Sequence, residues 1–260
     1  MLPEQDRLGY ARIAMKDLFK KSSGQVTRSR SEKPAVSGTR EVQEFLHKVG
    51  SLPAPGSRSG DAHLIFALDA TASRQFTWDR ATRLQGEMFV SAQSTSGLQV
   101  QLCYFRGLGE FYHSEWHSDA DNLLRQMSGL QCQAGMTQIE RLLRHAIAQN
   151  REQRLRGVIF IGDAMEENRD VLCQLAGKLG LLNVPLFIFQ ERQEQAARQT
   201  FVEMARLSGG AYCQFDAASA EQLKDLLRAV AIYATGGLQA LEDFSRNSHQ
   251  SVKLLGQQLK

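Results

Sequence analysis

Long apolar runs are missing from this sequence. Runs such as Val158–Ile161 and Val184–Phe189 fall far below the roughly 18 residues that a membrane span needs. Met1–Lys21 carries charges throughout and lacks the apolar stretch of a secretory signal peptide. Cysteine is scarce: Cys103, Cys132, Cys173 and Cys213 are the four present, and no two have the CxxC spacing of a metal or redox motif. Three of them fall in apolar element patterns, where a free cysteine is usually a small buried hydrophobe. With no signal peptide, that usage points to a reducing cytoplasm. Glycine phosphate loops are also missing. Neither GxxxxGKS/T nor a GxGxxG after a strand occurs, which argues against a P-loop NTPase and a dinucleotide enzyme. The absence of GxSxG weakens an α/β-hydrolase reading.

What is there is ordinary globular material. The chain has 260 residues, 42% of them hydrophobic and 23% charged, enough for one large domain or two small ones. Net charge is only +3, and it is uneven. The first 60 residues hold 11 Lys/Arg against 6 Asp/Glu, a balance of +5, and the remainder holds 20 against 22, a balance of −2. A basic extension on a nearly neutral globule weakens the case for a large nucleic-acid face.

The pattern divides the chain into an N-terminal extension (1–60), an α/β domain (61–235) and a polar tail (236–260). Leu8–Phe19 has weak helical periodicity. Ser22–Thr39 is polar and basic and reads as a flexible linker. Arg40–Val49 reads as a short helix broken by the Pro53–Gly60 segment. From near Asp61, apolar runs alternate with helical patterns. Strands are expected at Leu64–Leu68, Leu98–Phe105, Glu110–Tyr112, Val158–Ile161, Val184–Phe189 and Ala211–Phe215. Helices are expected at Asp79–Gln93, Ala120–Met127, Gln138–Gln149, Asn168–Gly180, Ala196–Leu207 and Ser219–Tyr233, the last opened by a Ser219-x-x-Gln222 capping box. Leu64–Leu68 is apolar without alternation, as expected of a strand covered on both faces. Strand–helix alternation at this spacing predicts a doubly wound, mainly parallel, Rossmann-like α/β sheet flanked by helices.

Ligands of open α/β sheets bind at the carboxyl ends of strands. Two acidic residues fall there: Asp69 after the first strand, and Asp163 after Val158–Ile161 through Gly162. The first strand runs into Asp69-Ala70-Thr71-Ala72-Ser73. One carboxylate and two hydroxyls at alternate positions can converge in an extended turn, and such a set of hard oxygens suits Mg²⁺ or Mn²⁺. The same residue types are common in turns and caps and read equally well as helix entry.

Gly135-Met136-Thr137 precedes the clearest helix, and Ile161-Gly162-Asp163 ends a buried strand. With these, the sequence resembles the von Willebrand factor type A family. That family carries a metal-ion-dependent adhesion site: D-x-S-x-S after the first strand, a Thr in a later loop, and an Asp after the fourth strand. The corresponding positions here are Asp69-x-Thr71-x-Ser73, Thr137 and Asp163. The stretch from Phe201 through Leu223 also resembles the family's last helix, strand and helix, so the resemblance covers roughly Leu64–Ala234.

The resemblance implies that Thr71, Ser73 and Thr137 bind a Mg²⁺ or Mn²⁺ directly, while Asp69 and Asp163 act through water or as outer acceptors. A cation so held takes a carboxylate from a partner's Asp or Glu. The implied function is a non-enzymatic, cytoplasmic protein-interaction module or adaptor. Bacterial members of the family often serve in multi-protein assemblies, sometimes beside ATP-driven machines. Nucleic acid is not an implied partner. Two features depart from the pattern. Thr71 replaces a Ser but keeps the oxygen. Ala164-Met165-Glu166-Glu167 stands where many relatives have a small Gly-containing turn, placing Glu166 or Glu167 to fill the partner's position or restrict access. Thr137-x-x-Glu140 also reads as a capping box.

Other candidates are weaker. His113 and His117, four apart in HSEWH, would pair on Zn²⁺ only if helical, and a surface loop is expected there. Trp78 and Trp116 read as packing residues, and Arg28, Arg30 and Lys33 as a solvated linker. Two alternative functions remain. One is a haloacid-dehalogenase-like phosphatase with Asp69 as nucleophile, although position 71 lacks the usual second Asp. The other is a metal-free scaffold.

Overall fold

The carboxyl ends of β1 and β4 lie side by side, because the sheet places those two strands next to each other. A computed structural model of the protein describes residues 39–51, 62–75, 97–215, 225–236 and 240. All of them belong to one compact unit spanning residues 36–260. Within it run α1 (Thr39–Gly50), β1 (Ala62–Asp69), β2 (Leu98–Arg106), β3 (Glu110–His117), α2 (Ala120–Ser128), α3 (Ile139–Glu152), β4 (Leu155–Gly162), α4 (Arg169–Leu181), β5 (Leu186–Glu191), α5 (Gln195–Leu207) and β6 (Ala211–Phe215). A further helix, α6, covers 225–236. The sheet order is β3-β2-β1-β4-β5-β6. Only β2 and β3 are antiparallel, so the doubly wound, mainly parallel sheet expected from the sequence is present.

Both sheet faces are covered, which is why the strands read as continuous apolar runs. On one face Leu64, Phe66 and Leu68 of β1 join Phe45 and Val49 of α1, Leu123 and Met127 of α2, and Leu226 and Val230 of α6. On the other, Ile65 and Ala67 of β1 join Leu142 and Leu143 of α3, Leu172 of α4 and Phe201 of α5. Each such large apolar side chain contributes about 1.5–3 kcal/mol by leaving water. Because Phe45 and Val49 are buried in this core, the α/β body takes in residues upstream of Asp61.

Element boundaries follow local chemistry. Asn168 accepts from the amides of Asp170 and Val171, so α4 starts one residue after the expected Asn168, which serves as its cap. Pro185 has no amide to donate to a ladder; its carbonyl accepts from Val158 N at 2.9 Å, and β5 begins at Leu186 rather than Val184. The expected elements at Leu8–Phe19, Ser22–Gly38 and Asp79–Gln93, the Ser219 capping box, Trp78 and nearly all of the tail lie outside the described residues.

One expectation is overturned. HSEWH is not a surface loop: β3 extends through it to His117. The register shifts between Gln101 and Cys103, where Ser114 substitutes for part of the ladder. Its hydroxyl accepts from Leu102 N at 3.0 Å, and its carbonyl accepts from Gln101 Nε2 at 3.0 Å. The bulge inverts the alternation of side chains. His113 stacks on His145 of α3 with ring centroids 4.6 Å apart, whereas His117 Nε2 meets Gln126 of α2 at 3.2 Å. The two imidazoles engage helices on opposite faces. Trp116 packs edge-on against His63 at 4.8 Å, in line with a packing role.

Candidate functional site

Chain order reverses between β1 and β4: β2 and β3 lie on one side, β5 and β6 on the other. This topological switch point is where open α/β sheets place their ligand crevice. Leu68 pairs with Ile161, so Asp69 and Asp163 leave the sheet next to each other. Gly162 permits the approach, since a Cβ there would meet the Phe160 ring at 2.6 Å and Asp69 Cβ at 3.4 Å.

Four of the five expected residues form one hydrogen-bonded chain. Thr71 N donates to Asp69 Oδ1 at 2.8 Å. Thr71 Oγ1 and Ser73 Oγ are 3.1 Å apart, and Ser73 Oγ donates to Asp163 Oδ1 at 3.0 Å. A hydroxyl has one proton. With the Ser73 proton on Asp163, the Thr71 hydroxyl lies between Ser73 and the Asp69 carboxylate. Asp69 is fully buried, and among the described residues its Oδ2 takes no hydrogen bond. Burial pushes its carboxyl up to about 6, against the opposing influence of Arg74 and of the bonds from Thr71.

Thr137 arrives on the loop before α3. That loop is tied to the Asp69 turn by an isolated bridge between Thr71 and Gln133 and by Gln133 N donating to Ala70 O at 3.0 Å. It is also pressed against the β2–β3 turn: a Cβ on Gly135 would lie 1.9 Å from Gly107 O. Thr137 does not cap α3. Gln138 holds the cap position without a side-chain bond, and the Glu140 carboxylate turns outward to Arg144 at 2.8 Å. The capping box expected from Thr137-x-x-Glu140 is therefore not formed.

The loop after β4 takes over. Glu167 Oε1 accepts from Glu140 N at 2.8 Å, and its Oε2 accepts from Thr137 Oγ1 at 2.6 Å. Glu166 Oε2 accepts from Thr137 N at 2.7 Å, while Glu166 N donates to Thr137 Oγ1 at 3.1 Å. The bonds of Thr137 thus run to Glu166 and Glu167, not to the other four residues. Burial raises the Glu167 carboxyl, an effect opposed by its bonds from Thr137 and from the amides of Glu140 and Ile139.

Beneath the loops lies a cation that motif spacing did not reveal. Arg74, fully buried, donates from Nε to Glu191 Oε2 at 3.1 Å and from Nη1 to the carbonyls of Asp69 at 2.6 Å and Ile161 at 3.4 Å. It ties together the ends of β1, β4 and β5. Arg192 Nη1 lies 3.9 Å from Asp163 Oδ2. The available signal was charge after an apolar strand: Gln190-Glu191-Arg192 follows Leu186–Phe189 directly. Among the described residues, no group of three or more His, Cys, Asp or Glu is arranged to hold a metal ion. The cluster at the switch point is instead built mainly from hydroxyls and two aspartates. Leu108 and Met136, large apolar side chains 97% and 59% exposed, stand on the two loops that Gly107 and Gly135 bring together.

Neither a family model nor a curated protein matches this chain. Solved structures do, and they define its class: the chain has the von Willebrand factor type A fold. The SpRpn10 VWA domain is 13% identical and superposes with a TM-score of 0.50, over 65% of this chain and 93% of that one. The PilB minor pilin from Streptococcus sanguinis is 9% identical with a TM-score of 0.54, over 68% and 62%. The pilus adhesin SpaC from Lactobacillus rhamnosus GG is 10% identical with a TM-score of 0.54, over 69% and 30%. The chain thus spans under two thirds of the length of the pilin and the adhesin. Among the described residues no helix is long and apolar enough to cross a membrane.

Proposed function

We propose that the α/β body is a non-catalytic protein-interaction module, an adaptor whose contact runs through a divalent cation, Mg²⁺ or Mn²⁺, at the switch point. The observation that carries this reading is how the hydroxyl protons are spent. Ser73 donates to Asp163 and Thr137 to Glu167, while the Thr71 hydroxyl faces both Ser73 and the Asp69 carboxylate. Each oxygen keeps a lone pair, and hard oxygen donors of this kind suit Mg²⁺ and Mn²⁺. The buried, unpartnered Asp69 Oδ2 supplies negative charge that nothing else among the described residues hydrogen-bonds.

Thr71, Ser73 and Thr137 would hold the cation, with Asp69 and Asp163 orienting them and balancing charge. When bound, the cation supplies a Lewis-acidic position for a carboxylate of a partner protein. Leu108 and Met136 offer apolar contact area beside it. Burial of Asp69 supports a non-enzymatic role, because a carboxylate with no exposed surface offers no nucleophile to a phosphate ester. The SpRpn10, pilin and adhesin structures share the fold, and the cytoplasmic setting of the proposal rests on the sequence alone.

Calorimetric titration with MgCl₂ and MnCl₂ tests the reading. Saturable heat and a raised Tm are expected for the wild type and not for Asp69→Ala. No response in the wild type, or an equal response in the variant, overturns it.

A further inference from the structure

The carboxylate that receives the Thr137 proton comes from a residue outside the five-position motif. We infer that Glu167 is the positioning residue of Thr137, aiming the threonine's free lone pair at the cation position and locking that aim to the first turn of α3. The inference rests on the reading of the site as a cation site.

A threonine oxygen has one proton and two lone pairs. In Thr137 the proton goes to Glu167 Oε2 at 2.6 Å, and one lone pair accepts from Glu166 N at 3.1 Å. One lone pair is left. Ser73 is similar: its proton goes to Asp163, Thr71 Oγ1 lies 3.1 Å away on another side, and one lone pair remains. Glu167 therefore does for Thr137 what Asp163 does for Ser73. Outer carboxylates that receive a ligand's proton orient it and increase its basicity, and losing one typically costs 10–100-fold in metal affinity.

The second oxygen of Glu167 makes the arrangement rigid. Oε1 holds the amide of Glu140 at 2.8 Å, an orphan donor of the first turn of α3 that no side chain at the Gln138 cap position satisfies. One carboxylate thus binds both the ligand arm and the helix behind it. Thr137 is thereby relieved of the capping role that its own sequence context suggested, and its hydroxyl is available to a ligand. Glu166 contributes differently: its carboxylate binds the Thr137 amide, not the hydroxyl.

Glu167→Gln separates the two roles. The amide side chain has one acceptor. With that oxygen on the amides of Glu140 and Ile139, its NH₂ faces Thr137 Oγ1, donates to the oxygen and turns the threonine proton outward. The expected result by calorimetry is a loss of about 10-fold or more in Mg²⁺ and Mn²⁺ affinity. The Tm without added cation and the slow exchange of the Glu140 amide should stay close to wild type. Glu167→Ala should lose both, and Glu166→Gln should retain affinity within about threefold, since it leaves the hydroxyl's acceptor in place. Cation binding by Glu167→Gln equal to wild type overturns this role while leaving the site reading intact. No cation binding by the wild type overturns both, and Glu140 amide exchange then identifies Glu167 as a helix cap alone.

Discussion

Arg74 and Glu191 form a buried ion pair, Nε to Oε2 at 3.1 Å, across 117 residues of chain. Neither residue exposes more than 2% of its surface. The pair sits under the loops that carry Asp69 and Asp163, and the guanidinium also binds the carbonyls that end β1 and β4. Removing one partner of such a pair leaves a charge buried without its counter-charge, at a cost of about 3–5 kcal/mol. Glu191→Ala and Arg74→Met should each lose that much in urea unfolding. The double variant Arg74→Met/Glu191→Leu should recover a large part of it, because the remaining space is filled by apolar groups. A single variant within about 1 kcal/mol of wild type would contradict the structural role of the pair.

Asp69 trades stability for a negative charge held out of water. Its carboxyl lies at about 6 in the folded protein against an ordinary 3.8. The folded state holds the proton more tightly, so this group favours folding most below about pH 4. The advantage is lost as pH rises to about 6 and is absent above it. A shift of that size corresponds to about 3 kcal/mol. In chelator at pH 7, Asp69→Asn should melt above the wild type, and adding Mg²⁺ should reverse the order by stabilising only the wild type. Thermal unfolding with and without cation reads both halves.

His145 contributes pH dependence of the opposite sign. Burial first, and the facing His113 second, lower it to about 4 from 6.5. Its Nε2 meets Gln101 Oε1 at 2.8 Å, and the Phe111 ring packs edge-on at 5.5 Å. The neutral ring is the one that fits. Stability from this group is complete above about pH 6.5 and declines as pH falls to about 4. His145→Gln should flatten that part of the profile. Each histidine or aspartate contribution is isolated by the difference between variant and wild-type unfolding at the same pH. An unchanged slope in His145→Gln would remove this group as the cause.

Gly135 is a steric requirement. An added Cβ would lie 1.9 Å from the backbone oxygen of Gly107, and backbone on both sides leaves no flexible side chain to give way. Gly135→Ala should displace the Thr137 loop, at about 1–3 kcal/mol by analogy with overpacked cores. Its Mg²⁺ response in calorimetry should fall with it, whereas Gly177→Ala on α4, where nothing lies within 4 Å of the added Cβ, should keep both. Wild-type stability in Gly135→Ala would overturn the close approach.

Much of the fold was legible because burial is written into periodicity. The i, i+3, i+4 stripe of α3 (Ile139, Leu142, Leu143, Ala146, Ile147) is the buried face of that helix. The unbroken apolar run of β1 reflects two covered faces. The placement of Asp69 and Asp163 at the carboxyl ends of two buried strands was legible because each stands at the end of an apolar run, where a carboxylate seldom serves packing.

Tertiary structure alone decided the rest. The bulge at Ser114–Glu115, opposite Leu102, sent His113 and His117 to different faces, an effect of pairing register rather than of spacing. Glu167, not Thr137, satisfies the start of α3, because sheet order lays the β4–α4 loop across that helix end. Arg74 found Glu191 only once β5 lay beyond β4. In each case local sequence determined which groups needed a partner, and the order of strands in the sheet determined which partner was within reach.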